Sequence, residues 1–127
     1  ELESRLGKLE ANLEMEKLRA EQKDVNYIYG KVTAYHPPSG GINADSNPEV
    51  TSIGEPAEVG VMAVDPSVIP YGSEIMIIRN GTVVRGKALD TGADMRNYPN
   101  HHVDILMDSK EEADEWGNPD NCHVIWW

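Results

Sequence analysis

The chain has 127 residues, with 22 acidic residues against 11 lysines and arginines, so its net charge near neutral pH is -11. Nucleic acid is not an expected partner, because the sequence has no basic stripe that could neutralise phosphates. The single cysteine, Cys122, excludes an internal disulfide framework, and no apolar run approaches the roughly 18 residues of a membrane span.

Residues 1–24 predict a helix. Four leucines recur at spacings of four, three and four residues, which is the pattern of a coiled-coil seam. They are Leu2, Leu6, Leu9 and Leu13. The stripe weakens after them, since the next positions in register are Glu16 and Ala20 while Leu18 falls off it. We expect this segment to be either a homodimerising coiled coil or a solvated helical linker, followed by one domain over residues 25–127.

After Val25 the hydrophobic period changes from that of a helix to that of short β-strands. Six runs are bounded by turn-forming residues and predict strands. They span 28–35, 60–64, 74–78, 82–88, 103–107 and 122–127. Asn80-Gly81 predicts a tight hairpin between the third and fourth strands.

A capping box at Ser109 and Glu112 predicts one short helix that ends near Gly117. Many short strands with one helix favour a mainly β fold, a small closed barrel, with an elongated sandwich as the alternative. Residues 37–58 have no periodicity and predict a long loop, which in a small domain is often functional.

The segment Asp90-Thr91-Gly92-Ala93-Asp94 places an acid at the end of a predicted strand, just before a turn. The segment is similar to the active site of retroviral aspartic proteases, in which two copies of the aspartate share a proton. Those proteases follow the triplet with a hydrophobic strand and later a glycine pair, and neither is found here. The protease interpretation is therefore a remote alternative. A single aspartate that acts as acid and then as base in a glycan-cleaving barrel is the other chemistry.

Several spaced motifs together resemble the 3D domain, which is named for its three aspartates. In chain order they are Ala63-Val64-Asp65-Pro66, Pro70-Tyr71-Gly72-Ser73, Ala88-Leu89-Asp90-Thr91-Gly92, Val103-Asp104-Ile105, Glu112-Ala113 and Trp116-Gly117. The resemblance covers about residues 27–127. The family includes stationary-phase survival proteins of Gram-positive bacteria and is related to the catalytic barrel of membrane-bound lytic transglycosylase A. It implies a small double-psi β-barrel.

The resemblance also implies an activity, cleavage of the β-1,4 bond between N-acetylmuramic acid and N-acetylglucosamine in peptidoglycan, with formation of a 1,6-anhydro end. One carboxylate suffices, because the muramyl 6-hydroxyl is an internal nucleophile. Asp90 would protonate the glycosidic oxygen and then accept the proton of that hydroxyl. Partial burial beside Asp104 or Asp65 is expected to let Asp90 hold its proton.

The expected catalytic residues are Asp90, Asp104 and Asp65. For Asp65, which precedes a proline, a turn-capping role is the alternative. Asp104 lies in an apolar strand and faces either solvent or a groove. The expected substrate-binding residues are Thr33, Tyr35, Thr51, Gly54, Thr91 and Gly92.

The loop from Ala93 to His102 departs from the family pattern, and Pro56 stands where many relatives carry a lysine nearby. A catalytically silent module that binds or scaffolds wall glycan is therefore the alternative function. No cofactor or metal is expected, since the adjacent His101 and His102 would point to opposite faces of a strand. The expected location is extracytoplasmic: the protein is in the cell wall or secreted, with or without a membrane anchor upstream. The alternative is a lytic or tail component encoded by a phage.

Overall fold

The computed structural model describes residues 2–35, 60–91, 101–117 and 119–127. Six strands and two helices lie in these ranges. In chain order they are α1 (Leu2–Ala20), β1 (Asn26–Tyr35), β2 (Val61–Val64), β3 (Glu74–Arg79), β4 (Thr82–Asp90), β5 (His101–Leu106), α2 (Lys110–Trp116) and β6 (Cys122–Trp126). Each predicted strand is found within two residues of its expected bounds, and a helix precedes them. The mainly β fold class is confirmed.

The six strands close into a barrel in the order β1-β5-β2-β4-β3-β6. Two pairs are parallel, β1 with β5 and β2 with β4, and the other four pairs are antiparallel. Closure pairs every strand on both sides, which protects the edges that an open sheet would expose. The barrel is therefore confirmed over the sandwich.

The barrel interior is filled by alternate residues of the strands. This core includes Val32, Met62, Val64, Ile69, Ile75, Ile77, Ala88, Val103, Ile105, Cys122, Val124 and Trp126. Strands β3 and β6 are apolar on their outer faces too, where Met76, Ile78 and Ile125 are buried. An apolar outer face has to be covered by another element.

Helix α1 is that element. Four residues one helical turn apart form a buried stripe, the barrel-facing stripe, along one side of the helix: Gly7, Ala11, Met15 and Leu18. The last three pack against the outer face of β3 and β6. Gly7 lies against the ring of His123, where an added Cβ would come within 2.8 Å of Cδ2. Lys8 also places its ammonium 3.6 Å from the centre of the Tyr27 ring.

Three leucines of the predicted seam face away from the barrel. Leu6, Leu9 and Leu13, here called the leucine stripe, are 52%, 59% and 60% exposed. The helix itself is found as expected, and Leu18, the leucine that falls off the seam, is 8% exposed because it belongs to the barrel-facing stripe. The coiled coil and the division at residue 24 stay predictions.

The local turn and cap predictions are confirmed. Asn80 and Gly81 have φ values of 47° and 81°, which a two-residue hairpin turn between β3 and β4 requires. The Ser109 side chain accepts a hydrogen bond from the Glu112 N–H at the start of α2, and Gly117 ends that helix. In the described ranges no helix is both long and apolar enough to cross a membrane.

Replacing Gly86 with alanine should destabilise the barrel. A Cβ on Gly86 would lie 2.4 Å from the carbonyl oxygen of Gly60, in the turn that leads into β2, so strand or turn must move. Overpacking of this kind costs about 1–3 kcal/mol. Urea unfolding of Gly86→Ala checks this, with the exposed Thr82→Ala in the same strand as a control whose unfolding free energy should change by less than about 0.5 kcal/mol. Equal stability of the two variants would contradict the close approach.

The thiol of Cys122 should be unreactive in the folded protein. Burial raises the pKa of Cys122 from 9.0 to about 11, and the thiolate is the species that attacks. A colourimetric disulfide reagent at mildly alkaline pH should therefore modify the native chain far more slowly than the chain in guanidinium chloride. The same shift gives stability that is complete below pH 9.0 and is lost as the pH rises towards about 11. Comparable rates in the native and unfolded chains would contradict the burial.

Candidate functional site

The strand register brings two of the three aspartates into one row across the barrel. Ala63 of β2 pairs with Asp104 of β5 on one side and with Asp90 of β4 on the other. Asp104 pairs in turn with Thr33 of β1. We call these four residues the four-strand row. Neighbouring strands are about 4.8 Å apart, so the Cα atoms of Asp90 and Asp104 are separated by about 10 Å, with Ala63 between them.

The row lies on the outer face of the sheet. Ala63 alternates with Met62 and Val64, and Asp104 with Val103 and Ile105, and all four flanking residues belong to the interior core. Ala63, Asp90 and Asp104 are nevertheless at most 7% exposed. These carboxylates are therefore not ordinary solubilising groups.

An irregularity in β4 places Asp90 in this row. Met62 pairs with Ala88, but the next residue, Ala63, pairs with Asp90, so Leu89 is the extra residue of a bulge. Without it, Asp90 would be on the same face as Ala88, inside the barrel. Bulges that redirect a side chain are frequent beside active sites.

Both carboxylate oxygens of Asp90 are held. The backbone N–H of Thr91 donates a hydrogen bond to Oδ1 at 2.9 Å, and the Tyr35 hydroxyl donates one to Oδ2 at 3.2 Å. The Thr91 hydroxyl donates to the carbonyl oxygen of Val64 at 2.6 Å, which ties the end of β4 to the end of β2. These two hydrogen bonds fix the orientation of the carboxylate.

Tyr35 is close to both carboxylates. Its burial, then the negative charges of Asp90 and Asp104, raise the pKa of Tyr35 well above its ordinary value of 10.0. The phenol therefore stays protonated at any pH near neutral and is a permanent hydrogen-bond donor toward Asp90.

Asp65 follows β2 and is engaged in a turn. Its Oδ1 accepts hydrogen bonds from the backbone N–H of Ser67 at 2.9 Å and from the Ser67 hydroxyl at 2.7 Å. Its backbone carbonyl accepts the N–H groups of Val68 and Ile69. This is the turn-capping arrangement that the sequence offers as the alternative role for this residue.

Of the remaining expected site residues, three lie near the aspartates and three lie outside the residues that the structure describes. Thr33 lies in the four-strand row beside Asp104, and Thr91 and Tyr35 contact the surroundings of Asp90 as described above. Thr51, Gly54 and Gly92 lie outside the residues that the structure describes, as does most of the unusual loop that begins at Ala93.

Ala63 is a site residue that the sequence reasoning missed. It separates the two aspartates, and it is fully buried. A larger side chain at this point of the row would project between the carboxylates. The signal was present, since a small residue interrupts the run Val61–Val64, but only the register shows what it adjoins.

The sequence comparisons agree with this geometry. The family model described as the 3D domain matches residues 60–127, more than half of the chain, and this range contains Asp65, Asp90 and Asp104. Among curated proteins, an uncharacterised protein of Bacillus subtilis derived from the SPbeta prophage, YorM, is 41% identical over 66 residues, which are 52% of this chain and 26% of the relative.

Two other similar proteins of Bacillus subtilis carry names that refer to the cell wall. The cell wall-binding protein YocH is 32% identical over 85 residues, which are 67% of this chain and 27% of YocH. YabE, whose name assigns it provisionally to cell wall shaping, is 32% identical over 78 residues, which are 61% of this chain and 16% of YabE. The chain thus spans about a quarter or less of the length of these relatives.

Replacing Tyr35 with phenylalanine should destabilise the fold, because it removes a donor from a buried carboxylate. Removing one partner of a buried hydrogen bond costs about 1–3 kcal/mol. Urea unfolding of Tyr35→Phe measures the loss. Tyr71→Phe makes the same change at a side chain that is 37% exposed, and it should shift the unfolding free energy by less than about 0.5 kcal/mol. Equal effects of the two changes would contradict the Tyr35–Asp90 contact.

The loss of stability in Tyr35→Phe should also depend on pH. Since the pKa of Tyr35 is raised in the folded state, its contribution to stability is complete below pH 10.0 and decreases as the pH rises above that value. The stability gap between the wild type and Tyr35→Phe should therefore narrow above pH 10.0, and a constant gap would show that the phenol titrates normally.

Proposed function

The chain belongs to the 3D domain family, and on that premise we propose that it is a lytic transglycosylase. Its substrate is the glycan strand of peptidoglycan, and the bond cleaved is the β-1,4 link between N-acetylmuramic acid and N-acetylglucosamine. The observation that supports this best is a buried Asp90, held at both oxygens and set in one row with Asp104.

The proposed reaction needs one proton-transferring carboxyl group. Asp90 in its acid form gives its proton to the glycosidic oxygen, and the bond from that oxygen to C1 of the muramyl unit breaks. The glucosamine unit leaves with a new 4-hydroxyl. The muramyl 6-hydroxyl then bonds to C1 and returns its proton to the Asp90 carboxylate. Atoms and charge balance, and the products are a 1,6-anhydro end and an unchanged Asp90.

The neighbours of Asp90 have supporting roles in this proposal. Tyr35 and the Thr91 N–H hold the carboxyl group in one orientation, which general acid–base catalysis requires. Asp104, a buried carboxylate in the same row, stabilises the positive charge that develops on the sugar ring in an oxocarbenium-like transition state. Asp65 contributes by fixing the turn after β2, next to the carbonyl that accepts the Thr91 hydroxyl.

The proposal has six substrate-binding residues. Thr33, which is beside Asp104 in the four-strand row, binds sugar hydroxyls. The others are Tyr35, Thr91, Thr51, Gly54 and Gly92, of which the last three lie outside the residues that the structure describes.

Binding of wall glycan without cleavage is the second candidate function. It is favoured by the similarity to YocH, a protein named for cell wall binding. Both functions place the chain outside the cytoplasmic membrane, in the wall of a bacterium or in a phage particle that meets the wall, and the similarity to a prophage-derived protein is compatible with the latter.

Replacing Asp90 with asparagine should abolish release of anhydro-muropeptides. Asparagine preserves the shape and an acceptor for the Thr91 N–H but cannot donate the acidic proton, and loss of a general acid–base costs about 10²–10⁴-fold in rate. The measurement is incubation of purified sacculi with the protein, followed by mass spectrometry of the soluble products. Asp24→Asn, which makes the same change at an exposed residue after α1, is the matched control and should retain full activity.

Binding of sacculi without any soluble product from the wild type would overturn the transglycosylase and support the binding module. Products with reducing ends would show hydrolysis by water instead of attack by the 6-hydroxyl. If Asp90→Asn and Asp24→Asn release equal amounts of anhydro product, Asp90 is not the acid.

A further inference from the structure

Helix α1 has two apolar sides, and among the residues that the structure describes only one of them packs against the rest of the chain. At 3.6 residues per turn, the leucine stripe lies about 200° around the helix axis from the barrel-facing stripe. The side opposite the barrel thus carries three leucines that are each more than half exposed. A short helix that merely covered the barrel would need a polar outer side.

The exposed leucines have the spacing of a coiled-coil seam rather than of a random surface. Leu6 and Leu13 take position a of a heptad, and Leu9 takes position d. The barrel-facing stripe then falls on positions b, c and f, which point outward in a two-stranded coil. The barrel therefore does not obstruct the seam.

The charges beside the seam specify the occupant and its direction. Arg5 is at position g and Glu10 at position e of the next heptad, and these positions meet across a parallel pair of identical helices. Two opposite-charge contacts result, one on each side of the seam. Among the described residues, neither side chain has an ion-pair partner within its own chain.

The antiparallel arrangement is disfavoured by the same residues. In an antiparallel pair, position e of one helix faces position e of the other, and position g faces position g. Arg5 of one copy then no longer meets Glu10 of the other, and both opposite-charge contacts are lost. The complementary charges therefore select a parallel pair.

We propose that α1 joins two copies of this chain in a parallel two-stranded coiled coil, with the leucine stripe as the seam and Arg5 of each copy facing Glu10 of the other. The two barrels lie on the outside of the coil. The four-strand row lies on β1, β5, β2 and β4, whereas α1 covers β3 and β6, so the coiled coil covers neither candidate site. Two barrels on one coil would engage a polymer with higher avidity than one.

Sedimentation equilibrium over a wide concentration range tests the association. The wild type should pass from the 14.1 kDa mass of one chain to twice that value. Leu9→Gln should weaken the dimer by about tenfold or more, since each copy loses a buried leucine, whereas leucine and glutamine have similar helix propensities, so α1 should remain helical. Val83→Gln, at an apolar residue of β4 that is 44% exposed, should leave the dimerisation constant unchanged.

Cross-linking tests the direction. Cys122 is buried, so Leu9→Cys provides the accessible thiol, and in a parallel pair residue 9 faces residue 9. Oxidation of Leu9→Cys should give a disulfide-linked dimer, with Val83→Cys as the control for random collision. In an antiparallel pair, cross-linking would instead require a mixture of Leu6→Cys and Leu9→Cys chains. That result would overturn the proposed direction.

The charge pair has its own test. Glu10→Arg should weaken the dimer because Arg5 then faces a like charge, and Arg5→Glu combined with Glu10→Arg should restore it. Glu21→Arg makes the same charge change beyond the helix and should have little effect. A chain that stays monomeric at every concentration, a trimer or tetramer, or a dimer indifferent to both Leu9→Gln and Glu10→Arg would overturn the proposal. None of these measurements depends on cleavage of glycan.

Discussion

The pairing of β2 with neighbours that run in opposite directions is the constraint on which the candidate site depends. β4 is parallel to β2 and β5 is antiparallel to it, so the carboxyl end of β4 and the middle of β5 meet at one residue, Ala63. The bulge at Leu89 then turns Asp90 onto the face that carries Asp104. Neither aspartate is near the other in sequence. Their proximity is a property of barrel closure and of one extra residue in one strand.

The polar contacts of the site follow from that register. Tyr35 is two residues beyond Thr33 on β1, on the same face, so its long side chain reaches across to Asp90. The Thr91 hydroxyl closes the arrangement by binding the carbonyl of Val64. Buried polar groups need partners, and for Asp90 the Tyr35 hydroxyl and the Thr91 N–H are among them. The core and the carboxylates thus occupy opposite faces of the same strands.

Local features were predictable from the sequence, and long-range pairing was not. The hairpin at Asn80-Gly81, the cap at Ser109 and the six strands have signals within a few residues of one another. Parallel pairing of β2 with β4 joins strands that are separated in the chain by β3 and its flanking turns, and no periodicity predicts it. No local sequence pattern predicts the bulge at Leu89 either, and strand alternation alone would have placed Asp90 inside the barrel. Asp90 was singled out by its place at the end of a predicted strand, whereas Asp65 and Asp104 were found through the spaced motifs of the family resemblance.

Helix α1 illustrates how a correct pattern can be incomplete. The leucine spacing predicted a helix but drew attention to the side that the chain leaves exposed, while the small residues Gly7 and Ala11 mark the side that meets the barrel. Gly7 is required because the helix approaches the ring of His123 so closely. Helix propensity alone would count this glycine as evidence against a helix. Two strands of the barrel also indicated that α1 packs against it. Ile75–Ile78 and Val124–Trp126 are unbroken apolar runs, and strands that are apolar on both faces need a cover outside as well as a core inside. Those two runs, read together with the leucine that falls off the seam, imply that α1 is part of the barrel's packing.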